Sequence, residues 1–306
     1  MGLSYQTLFR RNYGIFSDDE QNRIRQNRVV IIGDSGTGET ISTILSRSGF
    51  EEFIIAGQDN YVPSDMNRQI GCFIDTIGKN KTAHIKDTIL SINPQAKVTI
   101  FPHLPEEEVL DQLIAQGDII IPAVEDLVYS VLIFRAARKQ RKPAILCLPS
   151  GSMGWVSVFR DETPSLDDVF GVPNLGYKDL LSIVHTKEFQ CGQYHYITSG
   201  DWRVDWFLQY FEGNLPLPLI CPVEWMVASL AALEILKLAS RKWRPMLAPR
   251  CWYLSKGKVS TSRFSWFLKY HRKIGWLVFG TDQGRRLHKL TPIFWKKFFA
   301  YLRSRE

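Results

Sequence analysis

The stretch "VVIIGDSGTGET" at residues 29–40 constrains this chain more than any other feature. Val29–Ile32 is an unbroken β-branched run, the composition of a strand buried on both faces. It ends at Gly33 and leads into a helical stretch opened by Gly36 and Gly38. Glycine lets a backbone turn tightly and approach a nucleotide, and the amino end of a helix attracts phosphate. Ser35 stands where a G-x-G-x-x-G pattern has its second glycine. The turn also holds an acid, Asp34, with Glu39 just after it. Nucleotide-binding turns of this kind usually have a further acid about 20 residues on, at the end of the next strand, where it holds ribose hydroxyls. Gly57 occupies that place and Asp59 follows two residues later, which speaks against a nicotinamide-dependent dehydrogenase.

The same strand–helix rhythm continues along the chain. "FSDDEQNRI" offers Ser17 as a helix N-cap with Glu20 three residues later. Strands are expected at 28–32, 51–56, 97–101, 118–123 and 144–149, and helices at about 37–48, 80–92, 105–116 and 127–140. This alternation predicts an α/β fold, a Rossmann-like and mainly parallel sheet with flanking helices. "MGWVSVFR" at 153–160 predicts an antiparallel addition, a helix at about 223–239 closes the core, and "RCWYLSKGKVS" at 250–260 reads as a last strand or hairpin. The expected organisation is a helical segment at 1–28, a nucleotide-binding domain at 29–255 with a substrate region at 161–218, and a basic aromatic tail at 256–306.

The net charge of +7 belongs to that tail. Residues 256–306 hold thirteen Lys/Arg against two acids, leaving 25 against 29 in the remainder. No secretory leader is expected from "MGLSYQTLFRRNYGIFSDDE". The apolar stretch 219–239 carries Glu224, Glu234 and Lys237, which suits a buried helix better than a membrane span. The five cysteines are scattered and form no CxxC pair, so the expectation is reduced thiols in the cytoplasm and no zinc.

Residues 58–94 are more specific. They contain Gln58-Asp59, Ser64-Asp65-Met66-Asn67-Arg68-Gln69, Ile77-Gly78-Lys79-Asn80-Lys81 and Ile92-Asn93-Pro94, in that order after the glycine turn. This series resembles the ThiF/MoeB family, relatives of ubiquitin-activating enzymes. The likeness runs over roughly residues 8–255 and is sharpest in 29–94. It implies ATP and Mg²⁺, adenylylation of a carboxylate on a peptide or small protein, and a homodimer. Carried over by position, Gly33, Gly36 and Gly38 approach the nucleotide, with Asp59 and Asp65 beside it. Arg68 and Lys81 become the phosphate-binding cations. Arg11 reaches a partner subunit's nucleotide, and Glu125 with Asp126 hold the metal. Two cations suit that reaction because they meet the charge that develops as pyrophosphate leaves.

The departures from the family pattern fall on chemistry. Ser35 replaces a glycine, Gly57 the ribose acid, and Asp65 an asparagine; Glu125 stands in place of an aspartate. Asp65 adds negative charge near a triphosphate, which a cation or Mg²⁺ must offset. Two functions follow, an active and divergent adenylyltransferase or a silent ThiF-like module that recognises a peptide or protein. Cys191, near His185 and His195 in sequence, is either an acyl acceptor or a buried structural thiol. The aromatic and cationic stretch 262–306 is compatible with packing on the core or on another subunit, with a membrane surface, or with an acidic partner or nucleic acid.

Overall fold

The computed structural model describes residues 4–172, 174–184, 201–203, 206, 209–210 and 214–264. Cys191, His185, His195 and the stretch 265–306 lie outside the described residues.

The chain enters through α1 (Tyr5–Leu8), a 3₁₀ turn (Arg10–Gly14) and α2 (Asp18–Gln26). Ser17 and Glu20 form the expected capping box: the Ser17 hydroxyl accepts from the Glu20 N–H and the Glu20 carboxylate accepts from the Ser17 N–H. Then come β1 (Arg28–Ile32), α3 (Gly36–Arg47), β2 (Glu52–Ala56), α4 (Lys81–Ile92), β3 (Lys97–Phe101), α5 (Glu107–Ala115), β4 (Ile119–Pro122), α6 (Leu127–Lys139) and β5 (Ala144–Ser150). The remaining elements are β6 (Met153–Phe159), α7 (Leu166–Phe170), α8 (Tyr177–Val184), α9 (Cys221–Ser240), β7 (Arg250–Ser255) and β8 (Lys258–Arg263).

Among the described residues the strands form one sheet in the order β3-β2-β1-β4-β5-β6-β7-β8. The pairs from β3 to β5 are parallel, and β6, β7 and β8 add antiparallel strands. β8 lies within the range expected for the tail, and Phe264 after it is buried, so the sheet domain extends past residue 255. Strand β1 shows why its sequence is apolar throughout. Val29 and Ile31 join the core with α3 and α9, while Val30 and Ile32 join the core on the opposite face with α5 and α6.

Between β1 and β4 the strand order changes direction. Helices on either side of such a switch point leave a crevice at the carboxyl ends of the strands, where ligands of open α/β sheets bind. The main chain is tied together there: Gly33 N–H donates to Ala56 O at 2.7 Å and Ala123 N–H to Ile32 O at 2.7 Å. Among the described residues no helix is long and apolar enough to cross a membrane.

Candidate functional site

The three glycines of the turn do three different jobs. Gly33 has φ +107°, and a Cβ there would lie 2.1 Å from Ala123 O, so it makes the turn possible. A Cβ on Gly38 would lie 2.8 Å from Gly33 O and 2.9 Å from Ala123 Cβ; its absence lets α3 pack close to the sheet. Gly36, the first residue of α3, faces the crevice. A Cβ there would meet side chains only: Glu224 Oε1 at 2.9 Å and Gln69 Cγ at 3.2 Å.

Asp65 organises the next layer. It ends a short 3₁₀ turn (Pro63–Asp65) in the long β2–α4 connection and is 3% exposed. Its Oδ2 sits 3.0 Å from Lys81 Nζ and accepts from Val62 N–H at 3.1 Å. Its Oδ1 accepts from Gln69 Nε2 at 2.8 Å and lies 3.5 Å from Arg68 Nη2. The two family cations therefore converge, but their heads meet on this carboxylate. Lys81 opens α4 and is itself only 5% exposed. Arg68 also donates from Nη1 to Ser64 O and Asn67 Oδ1. The charge that Asp65 adds is thus offset within the protein.

Behind Asp65 lies a second buried acid. Glu39 accepts from the Tyr61 hydroxyl through Oε1, and its Oε2 has no hydrogen-bond partner among the described residues. Burial raises the Glu39 pKa, with the Tyr61 contact working in the opposite direction. Gly71 is required beside this pair, because a Cβ there would fall 1.9 Å from Glu39 Oε1 and 2.5 Å from Tyr61 Oη.

Glu224 comes from the second residue pair of α9 and is 2% exposed. Its carboxyl group makes no hydrogen bond among the described residues. Burial pushes its pKa up to about 7; Arg68 pulls it down and Glu125 pushes it further up. Trp225, next in the chain, donates from Nε1 to Arg68 O at 2.8 Å, so the amino end of α9 is fastened to the arginine segment. Glu224 and Gln69 sit at Gly36, where an approaching phosphate would reach the amino end of α3.

The remaining expected residues are less centrally placed. Glu125 is exposed after β4 and close enough to Glu224 to influence its titration. Asp126 caps α6, accepting from Tyr129 N–H at 2.6 Å. Asp59 is exposed; its N–H donates to Asp34 Oδ2 at 3.0 Å and its carbonyl accepts from Lys81 N–H at 2.9 Å. Arg11 is exposed on the N-terminal 3₁₀ turn, outside this cluster of contacts. Among the described residues no three His, Cys, Asp or Glu side chains are grouped closely enough to hold a metal by themselves. Burial raises the pKa of all four described cysteines, Cys72, Cys147, Cys221 and Cys251, so none of these is poised as a thiolate.

Comparison with known proteins agrees with this architecture. The ThiF family model matches residues 9–272, and the chain belongs to the ThiF family. It is 28% identical over 125 residues to a tRNA threonylcarbamoyladenosine dehydratase of Haemophilus influenzae, covering 40% of this chain and 48% of the relative. It is 28% identical over 163 residues to the probable adenylyltransferase/sulfurtransferase MoeZ of Mycobacterium tuberculosis, covering 53% of this chain and 40% of the relative. The chain spans about half the length of the curated relatives it matches. Among solved structures, E. coli MccB with MccA-N7isoASN superposes with a TM-score of 0.66 at 19% identity, over 86% of this chain and 72% of that one. MccB has also been crystallised with ATP.

Proposed function

We propose that this ThiF-family chain uses ATP to adenylylate a carboxylate, with the C-terminus of a peptide or small protein as substrate. One observation carries the reading: Lys81 from α4 and Arg68 from the β2–α4 connection meet at Asp65, and Gln69, which also bonds Asp65, borders the glycine that opens α3. In such a reaction a carboxylate oxygen bonds to the α-phosphorus as the bond to pyrophosphate breaks. Negative charge grows on the leaving group, and cations fixed beforehand lower that barrier without reorganising. Asp65 does the fixing. The curated relatives include an adenylyltransferase, and the superposed MccB structures include one with ATP, which supports the same reading.

The donor set suits a magnesium nucleotide. Asp65 already takes up part of the charge of Lys81 and Arg68, so a triphosphate would bring negative charge that a divalent ion has to meet. Glu125 would hold Mg²⁺ together with the Asp126 oxygen that accepts no hydrogen bond among the described residues, and the ion would supply charge neutralisation at the phosphates.

A second reading is favoured by a specific feature. Both cations already face Asp65, and Glu224 occupies the approach to Gly36. A silent module that binds a peptide or protein would keep this arrangement without turnover. ATP–pyrophosphate exchange, measured with peptides ending in a free carboxylate, separates the two. Exchange is expected, with Lys81→Ala lowering it by roughly 100-fold or more. Binding of Mg·ATP without exchange, whichever peptide is added, selects the module. Unchanged affinity and turnover in Lys81→Ala removes the phosphate assignment.

We also place a second copy of the chain against the apolar surface formed by Val62, Phe73, Ile74 and Ile77, all exposed. Ile74 is 82% exposed, unusual for an isoleucine without a partner. Arg11 would then serve the partner's site. Sedimentation of the wild type as a dimer and of Ile74→Asp as a monomer is the expected result. A monomeric wild type removes both assignments.

A further inference from the structure

We propose that Asp34 supplies the ribose-binding carboxylate of this site, from the β1 turn instead of from the end of β2. The inference rests on the nucleotide reading above and names the residue that selects a ribonucleotide.

In an open α/β sheet the ribose lies beside the end of the second strand, where an acid accepts from its hydroxyls. Here that position is Gly57 and has no side chain to offer. The space is not vacant. A Cβ on Gly57 would lie 2.4 Å from Asp34 Cγ, 2.5 Å from Asp34 Oδ2 and 2.7 Å from Asp34 Cβ, and these are its three nearest neighbours. The carboxyl group carried by the β1 turn therefore stands at the carboxyl end of β2. Gly57 and Asp34 are a matched pair, since any side chain at 57 would displace the acid.

Asp34 is also held in place. Its Oδ2 accepts from Asp59 N–H at 3.0 Å, while no other residue donates to Oδ1 among the described residues. The side chain is 4% exposed and forms no ion pair there. A buried carboxylate with spare acceptor capacity and no paired cation suits neutral hydroxyl donors. The vicinal diol of a ribose presents two. Asp59, two residues beyond Gly57, contributes its main chain to orient Asp34 and is itself exposed.

The test is calorimetry with Mg·ATP and Mg·2′,3′-dideoxyATP. Wild type should prefer ATP by roughly 10- to 100-fold, the range for hydrogen bonds to a charged acceptor. Asp34→Asn keeps an acceptor for Asp59 N–H and should narrow that preference. Asp34→Gly should abolish it. The double variant Asp34→Gly/Gly57→Asp returns the acid to β2 and should restore discrimination, whereas Gly57→Asp alone, with two side chains in one space, should not. Equal binding of both nucleotides by wild type, or a preference that survives in Asp34→Gly, overturns the assignment while leaving the ATP site standing. A wild type that binds neither nucleotide overturns the adenylylation reading and this inference with it.

Discussion

Helix α9 buries two glutamates, Glu224 in its first turn and Glu234 further along, and they are treated in opposite ways. Glu234 is fully buried and fully engaged: Oε2 accepts from Met246 N–H at 2.7 Å, and Oε1 accepts from Trp252 Nε1 at 2.6 Å and from Lys237 Nζ. It joins the helix to β7 and to the turn before it. Glu224, 2% exposed, receives no hydrogen bond among the described residues. Instead it borders Gly36, Gln69 and the Arg68 segment. A buried acid surrounded by donors belongs to the architecture. One left without them costs stability, and its retention at the crevice points to work done there.

The sharpest way to break this contrast is to remove each acid. Glu234→Ala leaves a half-buried ammonium, an indole N–H and a main-chain N–H without their acceptor, so urea denaturation should show a loss of about 2–4 kcal/mol. Glu224→Gln should move the other way. The native Glu224 holds its proton up to about pH 7, whereas the unfolded chain releases it near 4.5. Protonation therefore favours the fold below the unfolded value, and that benefit is lost as pH rises to 7. Removing the charge should add on the order of 3 kcal/mol at pH 8 and almost nothing at pH 4. Mg·ATP should also bind Glu224→Gln more tightly at pH 8, since a like charge leaves the phosphate path. Equal stabilities of wild type and Glu224→Gln at both pH values would dissolve the contrast.

The glycines sharpen it further. Gly38→Ala drives a methyl into main-chain and strand atoms, so a loss of about 1–3 kcal/mol is expected in thermal melts. Gly36→Ala meets only the adjustable Glu224 and Gln69 side chains. It should cost less stability than Gly38→Ala and lower ATP affinity instead. Ser17→Ala, which removes one helix cap and touches neither glycine, sets the scale of an ordinary local loss at about 1 kcal/mol.

The fold was legible because its signals are local. The β-branched run of β1, the glycine at the start of α3, the Ser17–Glu20 box and the antiparallel β6 each follow from neighbouring residues. Element ends moved by one or two positions, as at α9, which begins at Cys221 instead of 223. The hairpin expected at 250–260 runs on to Arg263, where a polar strand reads like the tail that follows it. In the site, the resemblance to ThiF/MoeB singled out Arg68 and Lys81 and flagged Asp65, and the structure brings the three together. Spacing could not reveal that Asp65 is the point where the two cations meet. Glu224 is separated from Gln69 by most of the sheet and arrives only because α9 packs beneath it. Its one sequence signal was an acid inside an otherwise apolar helix. The role of Asp34 was hidden for a related reason, as the clue lies in a missing side chain at Gly57.

The β2–α4 connection has a kinetic consequence. Tyr61 and Lys79 close it through main-chain bonds, Lys81 N–H returns to Asp59 O, and Asp65 draws Val62, Arg68, Gln69 and Lys81 onto one carboxylate. A loop so cross-braced opens cooperatively or not at all, so its amides should exchange with deuterium as one block with a shared protection factor. Trp225 couples that block to the tip of α9, and loosening either one should speed exchange in both.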